Sequence, residues 1–183
     1  MVATSLESDN ATSAENQQER LLSAEWISGF VDGEGCFSIG LVRQPDRVGR
    51  KGYRTGFQVV PDFSVVQGAR SVSVLWELKD FFKVGNVYRN SRHDNHREDL
   101  FRYSVRRVAE LSEVVIPFFW EHQLRSAKRL DFEKFAQCVE LIRAKRHIER
   151  EGLADLLEIA QTMNRQLSRS DLIRILRDHT PEA

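Results

Sequence analysis

The chain has only two cysteines in 183 residues, and Cys36 and Cys138 form no closely spaced pair. That excludes a disulfide scaffold and a thiolate zinc site, and it fits a reducing compartment. No apolar run approaches the length of a membrane span, and no basic start leads into an apolar stretch as in a secretory signal. The first twenty residues are polar and acidic, unlike an arginine-rich transit peptide. They read as a mobile tail (1–20) ahead of one domain (21–183), which is expected in the cytoplasm. Gly-rich phosphate loops are absent, as is any second copy of the first helix. With 41% hydrophobic residues, the chain can bury one ordinary core.

Net charge is zero, and the zero conceals a gradient. Residues 1–35 carry seven acidic side chains against one basic, whereas residues 36–110 carry 14 Lys or Arg against eight Asp or Glu. From 111 onward the signs balance at 12 each. A basic middle third fits a nucleic-acid face built on one stretch of chain. Arginine outnumbers lysine 21 to six, which suits phosphate and guanine recognition and equally suits a GC-rich genome.

Periodicity supplies the elements. Ser23 is a plausible helix N-cap, and Trp26, Ile27, Phe30 and Val31 recur at helical spacing. Cys36–Val42 and Gly56–Val66 alternate as strands, with Phe57, Val59, Phe63 and Val65 on one face. Pro61 implies a bulge or an unpaired position in the second strand. A helix from Ser71 stops at Gly85, and short strands follow at Asn86–Asn90 and Leu100–Val105. Helices fill the remainder. Trp76, Phe81, Phe82, Phe118, Phe119 and Trp120 fit helix faces and read as core.

Alternation leaves one sheet face polar, carrying Ser38, Val42, Gln58, Asp62, Ser64, Asn86, Tyr88, Asn90 and Arg102. These amides, hydroxyls and guanidinium are groups that read base edges in a major groove. Arg43, Arg50, Arg70 and Arg92 stand at strand ends or in loops, where phosphate contacts are expected. His93 and His96 lack the companions of a metal site.

The first helix ends oddly, on Asp32-Gly33-Glu34-Gly35. Two carboxylates stand where the helix dipole already presents negative charge. A helix closing on this acid–glycine alternation and running into a strand resembles the signature of LAGLIDADG homing endonucleases. "GFQVVPDFSVVQ", "VGNVY" and "LDFEKF" are similar to later segments of that family. The resemblance runs from about Leu21 to Asn164. It implies an α+β fold of order αββαββα, a DNA-binding antiparallel sheet and additional C-terminal helices.

What the resemblance implies for function is specific. Motif helices of two halves pack together, here through Ser28, Gly29 and Gly33 of a homodimer, since one motif copy is present. Glu34 matches the metal-ligating catalytic acid and the Gly33 carbonyl the backbone ligand beside it. Asp32 matches a structural acid. Gln67 is similar in position to a residue that orients solvent. Lys128 resembles the basic residue of the active site, with Arg125 as its rival. The cofactor implied is Mg²⁺, with no small-molecule cofactor and no membrane. The partner implied is double-stranded DNA, cut at a long pseudo-palindromic, intron-associated site. A non-cleaving maturase or DNA-binding regulator is the alternative on the same scaffold, and a plain α+β interaction module is a third reading.

Overall fold

The structure is a computed structural model that describes residues 24–44, 52–90, 99–164 and 170–177. Ser23, the tail 1–20, Arg50, Arg92, His93 and His96 lie outside the described residues. Helix α1 spans residues 24–34 and runs directly into strand β1 (Gly35–Arg43). Strand β2 (Phe57–Gly68) is followed by a 3₁₀ turn and helix α2 (Val72–Phe82). Strands β3 (Asn86–Asn90) and β4 (Leu100–Val105) complete an antiparallel sheet of order β1-β2-β4-β3. Among the described residues, four helices follow the short segment α3 (Val108–Glu110) and its π turn. They are α4 (Ile116–Glu121), α5 (Lys128–Arg143), α6 (Arg150–Ala160) and α7 (Ser170–Arg177).

The core lies on one face of the sheet. Phe37 and Phe63 sit on that face and are completely buried, packed on Phe119, Phe132, Phe135 and Phe82 from the helices. Phe37 and Phe63 stack on one another at 5.1 Å between ring centres. Burial of such side chains stabilises the fold by roughly 1.5–3 kcal/mol each.

Three details depart from the sequence reading. Pro61 makes no bulge: the β1–β2 register runs unbroken past it, opposite Ile39. The β2–β4 ladder begins only at Phe63, so the proline, which cannot donate, stands where no neighbouring strand asks it to. Helix α2 stops at Phe82 because Lys83 turns left-handed, with φ 57°. Gly85 is nonetheless required, since a Cβ there would lie 2.8 Å from the Ser104 carbonyl oxygen. Trp76 and Trp120 are each about half exposed, at 47% and 48%, and Phe81 is also exposed. The helices bury only one stripe, and these rings fall beside it.

Between α3 and α4 the helix widens into a π turn over Leu111–Val115, just ahead of Pro117. A proline cannot donate to the carbonyl four residues back and clashes with it, which a local widening relieves.

Candidate active site

Two stripes of α1 behave differently. Ala24, Ile27, Ser28 and Val31 are buried against the rest of the chain. Trp26, Gly29 and Gly33 are exposed, with Trp26 stacked on Phe30 at 5.1 Å. Trp26 thus recurs at helical spacing with Ile27 and Val31 but lies outside the buried stripe. Ser28 is also engaged within the chain itself. Its hydroxyl donates to the His122 carbonyl at 2.9 Å, fastening α1 to the end of α4. A Cβ on Gly29 or Gly33 would meet nothing within 4 Å among the described residues, so none of these requires either glycine. Gly35 is the opposite case. A Cβ there would fall 2.5 Å from Val31 Cγ1 and 2.7 Å from the Val31 carbonyl oxygen. The helix-to-strand junction closes only without a side chain.

That junction puts Glu34 in solvent at the last turn of α1. The register sets Gly35 opposite Val65, so Gln67 lies just past the pairing, beside Glu34. Its Nε2 donates to Glu34 Oε2 at 3.4 Å, a long bond. From the first turn of α5, Lys128 Nζ donates to the carbonyls of Val31 and Gly33, each at 3.1 Å. An ammonium on orphan carbonyls at a helix C-terminus offsets both their desolvation and the dipole. Burial pushes the Lys128 pKa below its ordinary value, against the pull of Asp32, Cys36 and Glu34. Arg125 contributes only its backbone N–H here, to Asp32.

Asp32 is a structural clamp. Its carboxylate accepts from the backbone N–H of Arg125 at 3.0 Å, from that of Ser126 and from the Ser126 hydroxyl at 2.6 Å. Burial works to raise its pKa, but the Ser126 hydroxyl, the two backbone donors and the Lys128 charge outweigh it, and the net shift is downward. The acids at the helix end are thus tolerated first by groups of the chain itself. Ser126 carried no signal in the sequence, because its role depends on a turn 94 residues away meeting Asp32.

The open sheet face lies in register. Rows Ser38–Asp62, Cys36–Ser64–Ser104–Asn86 and Val66–Arg102–Tyr88 run across it, and Val42 stands opposite Gln58. Val42 and Tyr88 are exposed, at 46% and 53%. Asn90 belongs to the same face by register, its side chain lying outside the described residues. Arg70 is exposed in the turn after β2, and Arg43, exposed at the end of β1, falls on the other parity.

Asp62 and Ser64 do not face outward as base-reading groups. They are buried, at 6% and 2%. Asp62 accepts from Ser104 at 2.6 Å, from Arg102 at 2.6 Å and from Arg106 at 3.3 Å, while Arg102 also donates to Ser64 at 2.9 Å. The guanidiniums fold over the acid and present positive charge above it. Arg106, which the alternation pattern omitted, belongs to this cluster.

Residues 27–139 match the family described as LAGLIDADG endonuclease. The chain is 34% identical over 125 residues to an uncharacterized 50.9 kDa protein in ND4 intron 1 of Podospora anserina. That alignment takes in 67% of this chain and 25% of the relative. Among solved structures, the homing endonuclease I-TnaI matches with a TM-score of 0.69 at 34% identity, covering 84% of this chain and 95% of that one. I-SmaMI bound to uncleaved DNA target in the presence of calcium ions matches with a TM-score of 0.71 at 26% identity. There the match covers 87% of this chain and 50% of the other. The chain spans a quarter to a third of the length of the curated intron-encoded relatives it matches. No helix among the described residues is long and apolar enough to cross a membrane.

Proposed function

The chain belongs to the LAGLIDADG endonuclease family, and from that premise we propose that it hydrolyses phosphodiester bonds of double-stranded DNA at a long pseudo-palindromic site. In this reading it acts as a homodimer with Mg²⁺ and serves as an intron-associated homing nuclease. The observation that carries the reading is the meeting of Glu34, Gln67 and Lys128 at the free end of a helix with an unburied glycine stripe. Such a stripe lets two backbones approach closely. An isologous pairing through it would bring two copies of Glu34 together, one acid for each DNA strand.

The donor set suits a hard cation. One copy offers the Glu34 carboxylate and the Gly33 carbonyl, and no cluster of three or more His, Cys, Asp or Glu occurs among the described residues. Mg²⁺ is commonly held by one or two carboxylates, with water and phosphate oxygens completing its shell, which matches an acid left exposed. When bound, the ion polarises a phosphate oxygen and acidifies its bound water.

The chain's own groups do the rest. Gln67 uses Nε2 on Glu34, which leaves its Oε1 to accept from and orient an attacking water. Lys128 engages carbonyls with two of its three N–H bonds, so the third can stabilise charge developing on the phosphate. Gln58, Asn86, Tyr88 and Ser38 would contact bases. Arg43, Arg50, Arg70 and Arg92 would contact phosphates. Arg102 would act with Arg106 as a cationic pair held by Asp62.

The test is direct. Purified protein is incubated with a duplex library and Mg²⁺, broken ends are sequenced, and light scattering is run alongside. The expected result is double-strand breaks at one long site, made by a dimer and stopped by EDTA. A stable monomer that cuts both strands would remove the dimer. Specific binding with no cleavage would leave the maturase or regulator alternative.

A further inference from the structure

The alternation of β1 continues past its last residue. The Gln44 backbone N–H donates to the Gly56 carbonyl at 2.8 Å, which carries the β1–β2 register one pair beyond Arg43↔Phe57. Gln44 therefore falls on the open face, beside Val42 and diagonal to Gln58. Gly56 has φ +75°, and a Cβ there would meet nothing within 4 Å among the described residues, so none of these fills the corner opposite Gln44. Across it, Gln44 Nε2 donates to Gln58 Oε1 at 3.2 Å. Val42, opposite Gln58, is 46% exposed.

We propose that Gln44, Gln58 and Val42 form a specificity-determining cluster that reads an adenine·thymine pair near the outer end of each half-site. This rests on the DNA-cleaving reading above and adds to it the base identity and its position. The bond couples the two amides: flipping one alone would set nitrogen against nitrogen or oxygen against oxygen, and flipping both still leaves one free donor beside one free acceptor. Gln58 Nε2 is left as a donor and Gln44 Oε1 as an acceptor. Adenine presents the complement in the major groove, an N7 acceptor beside an N6 donor. Guanine presents two acceptors and would place O6 against Gln44 Oε1, leaving a polar group unpaired. Val42 supplies apolar surface for the thymine methyl, which a G·C pair lacks. The cluster carries no charge, so it offers guanine no arginine or lysine.

Position follows from the register. Val42 and Gln58 lie eight residues along β1 from Glu34, or about 26 Å at roughly 3.3 Å per residue. With the strand laid along the groove, that is about eight base pairs from the cut at about 3.4 Å per step. One row nearer the cut stand Gly40 and Val60, which have no hydrogen-bonding side chain. Base pairs beneath that row are expected to be read loosely, a built-in contrast.

The experiment selects bound duplexes from a randomised library in Ca²⁺ and sequences them for the wild type, Gln58→Ala, Gln44→Ala and the double variant. The wild type should prefer A·T about eight base pairs from the cleavage position. Each single variant should reduce that preference about 10-fold. The double variant should be little worse than either, because the amides act as a unit. Melting temperatures should not change. A wild-type preference for G·C there, or a profile indifferent to all three variants, would overturn the inference while leaving a specific DNA-binding protein. A wild type with no sequence preference anywhere would overturn the proposed function and this inference together.

Discussion

Asp62, in the middle of the open sheet face, and Glu34, at the end of α1, are both acids on surfaces that we assign to a polyanion. Their surroundings are opposite. Asp62 is 8% exposed at its side chain, accepts from three side chains and is overlaid by two arginines. Glu34 is in solvent with one long hydrogen bond from Gln67. A buried charge persists only when saturated with partners, so Asp62 is an internal counter-ion. An exposed carboxylate at a negative helix end has little such support from folding, and most of its lone pairs remain open to a ligand. The lesson is that an acid's role can be read from how completely its oxygens are occupied.

Glu34→Gln tests the unsaturated side of this contrast and should have the largest effect. Cleavage in Mg²⁺ should fall about 100-fold or more. Stability should hold or rise by about 0.3–1 kcal/mol as charge–dipole repulsion disappears, and binding in Ca²⁺ should survive. A variant cutting at the wild-type rate would dissolve the assignment of the site.

Asp62→Ala tests the saturated side. It strands Arg102 and Arg106 without their shared acceptor. Because both arginines keep part of their surface in water, about 2–3 kcal/mol is expected, at or below the usual range for a broken buried pair. Urea unfolding measures it. A loss no greater than that of Glu34→Gln would erase the contrast.

Gly29→Leu separates folding from association. Among the described residues there is open space at that position, so the isolated fold should be unaffected. Dimerisation should weaken by roughly 1–3 kcal/mol through overpacking. Sedimentation across a dilution series reports it, and unchanged association would move the interface elsewhere.

The smallest effect concerns Asp32, saturated like Asp62 but nearer the surface. Its carboxyl lies below its ordinary pKa of 3.8 in the fold. A depressed acid stabilises the fold above its unfolded pKa, and that contribution is lost as pH falls through the folded value. Wild-type melting temperature should therefore decline more steeply below about pH 4 than that of Asp32→Asn. Parallel curves for the two would argue that the clamp contributes nothing.

Much of this was legible in advance. The strands at Asn86–Asn90 and Leu100–Val105 fall where their alternation predicted. The helix ending on Glu34 and the polar face of the sheet were also visible. Both signals are local: alternation and 3.6-residue periodicity report which face of an element is apolar. Periodicity could not tell that α1 buries Ile27 and Val31 while leaving Trp26 out, since all three are apolar. Nor could it rank Lys128 against Arg125, three residues apart on either side of a turn. Gln44 was findable, one more step of the same alternation beyond Arg43.

The sequence by itself determined the order of elements, the two-faced sheet and the presence of acids at an unfavourable helix end, because each is written in spacing along a short stretch of chain. Only the tertiary structure decided which of those acids are occupied by the chain's own donors. The partners that occupy Asp32 come from 93 and 94 residues away, and those that occupy Asp62 from about 40. Occupancy of a carboxylate is set by which distant donors the fold delivers to it. Glu34 is distinguished by the fold having delivered almost none.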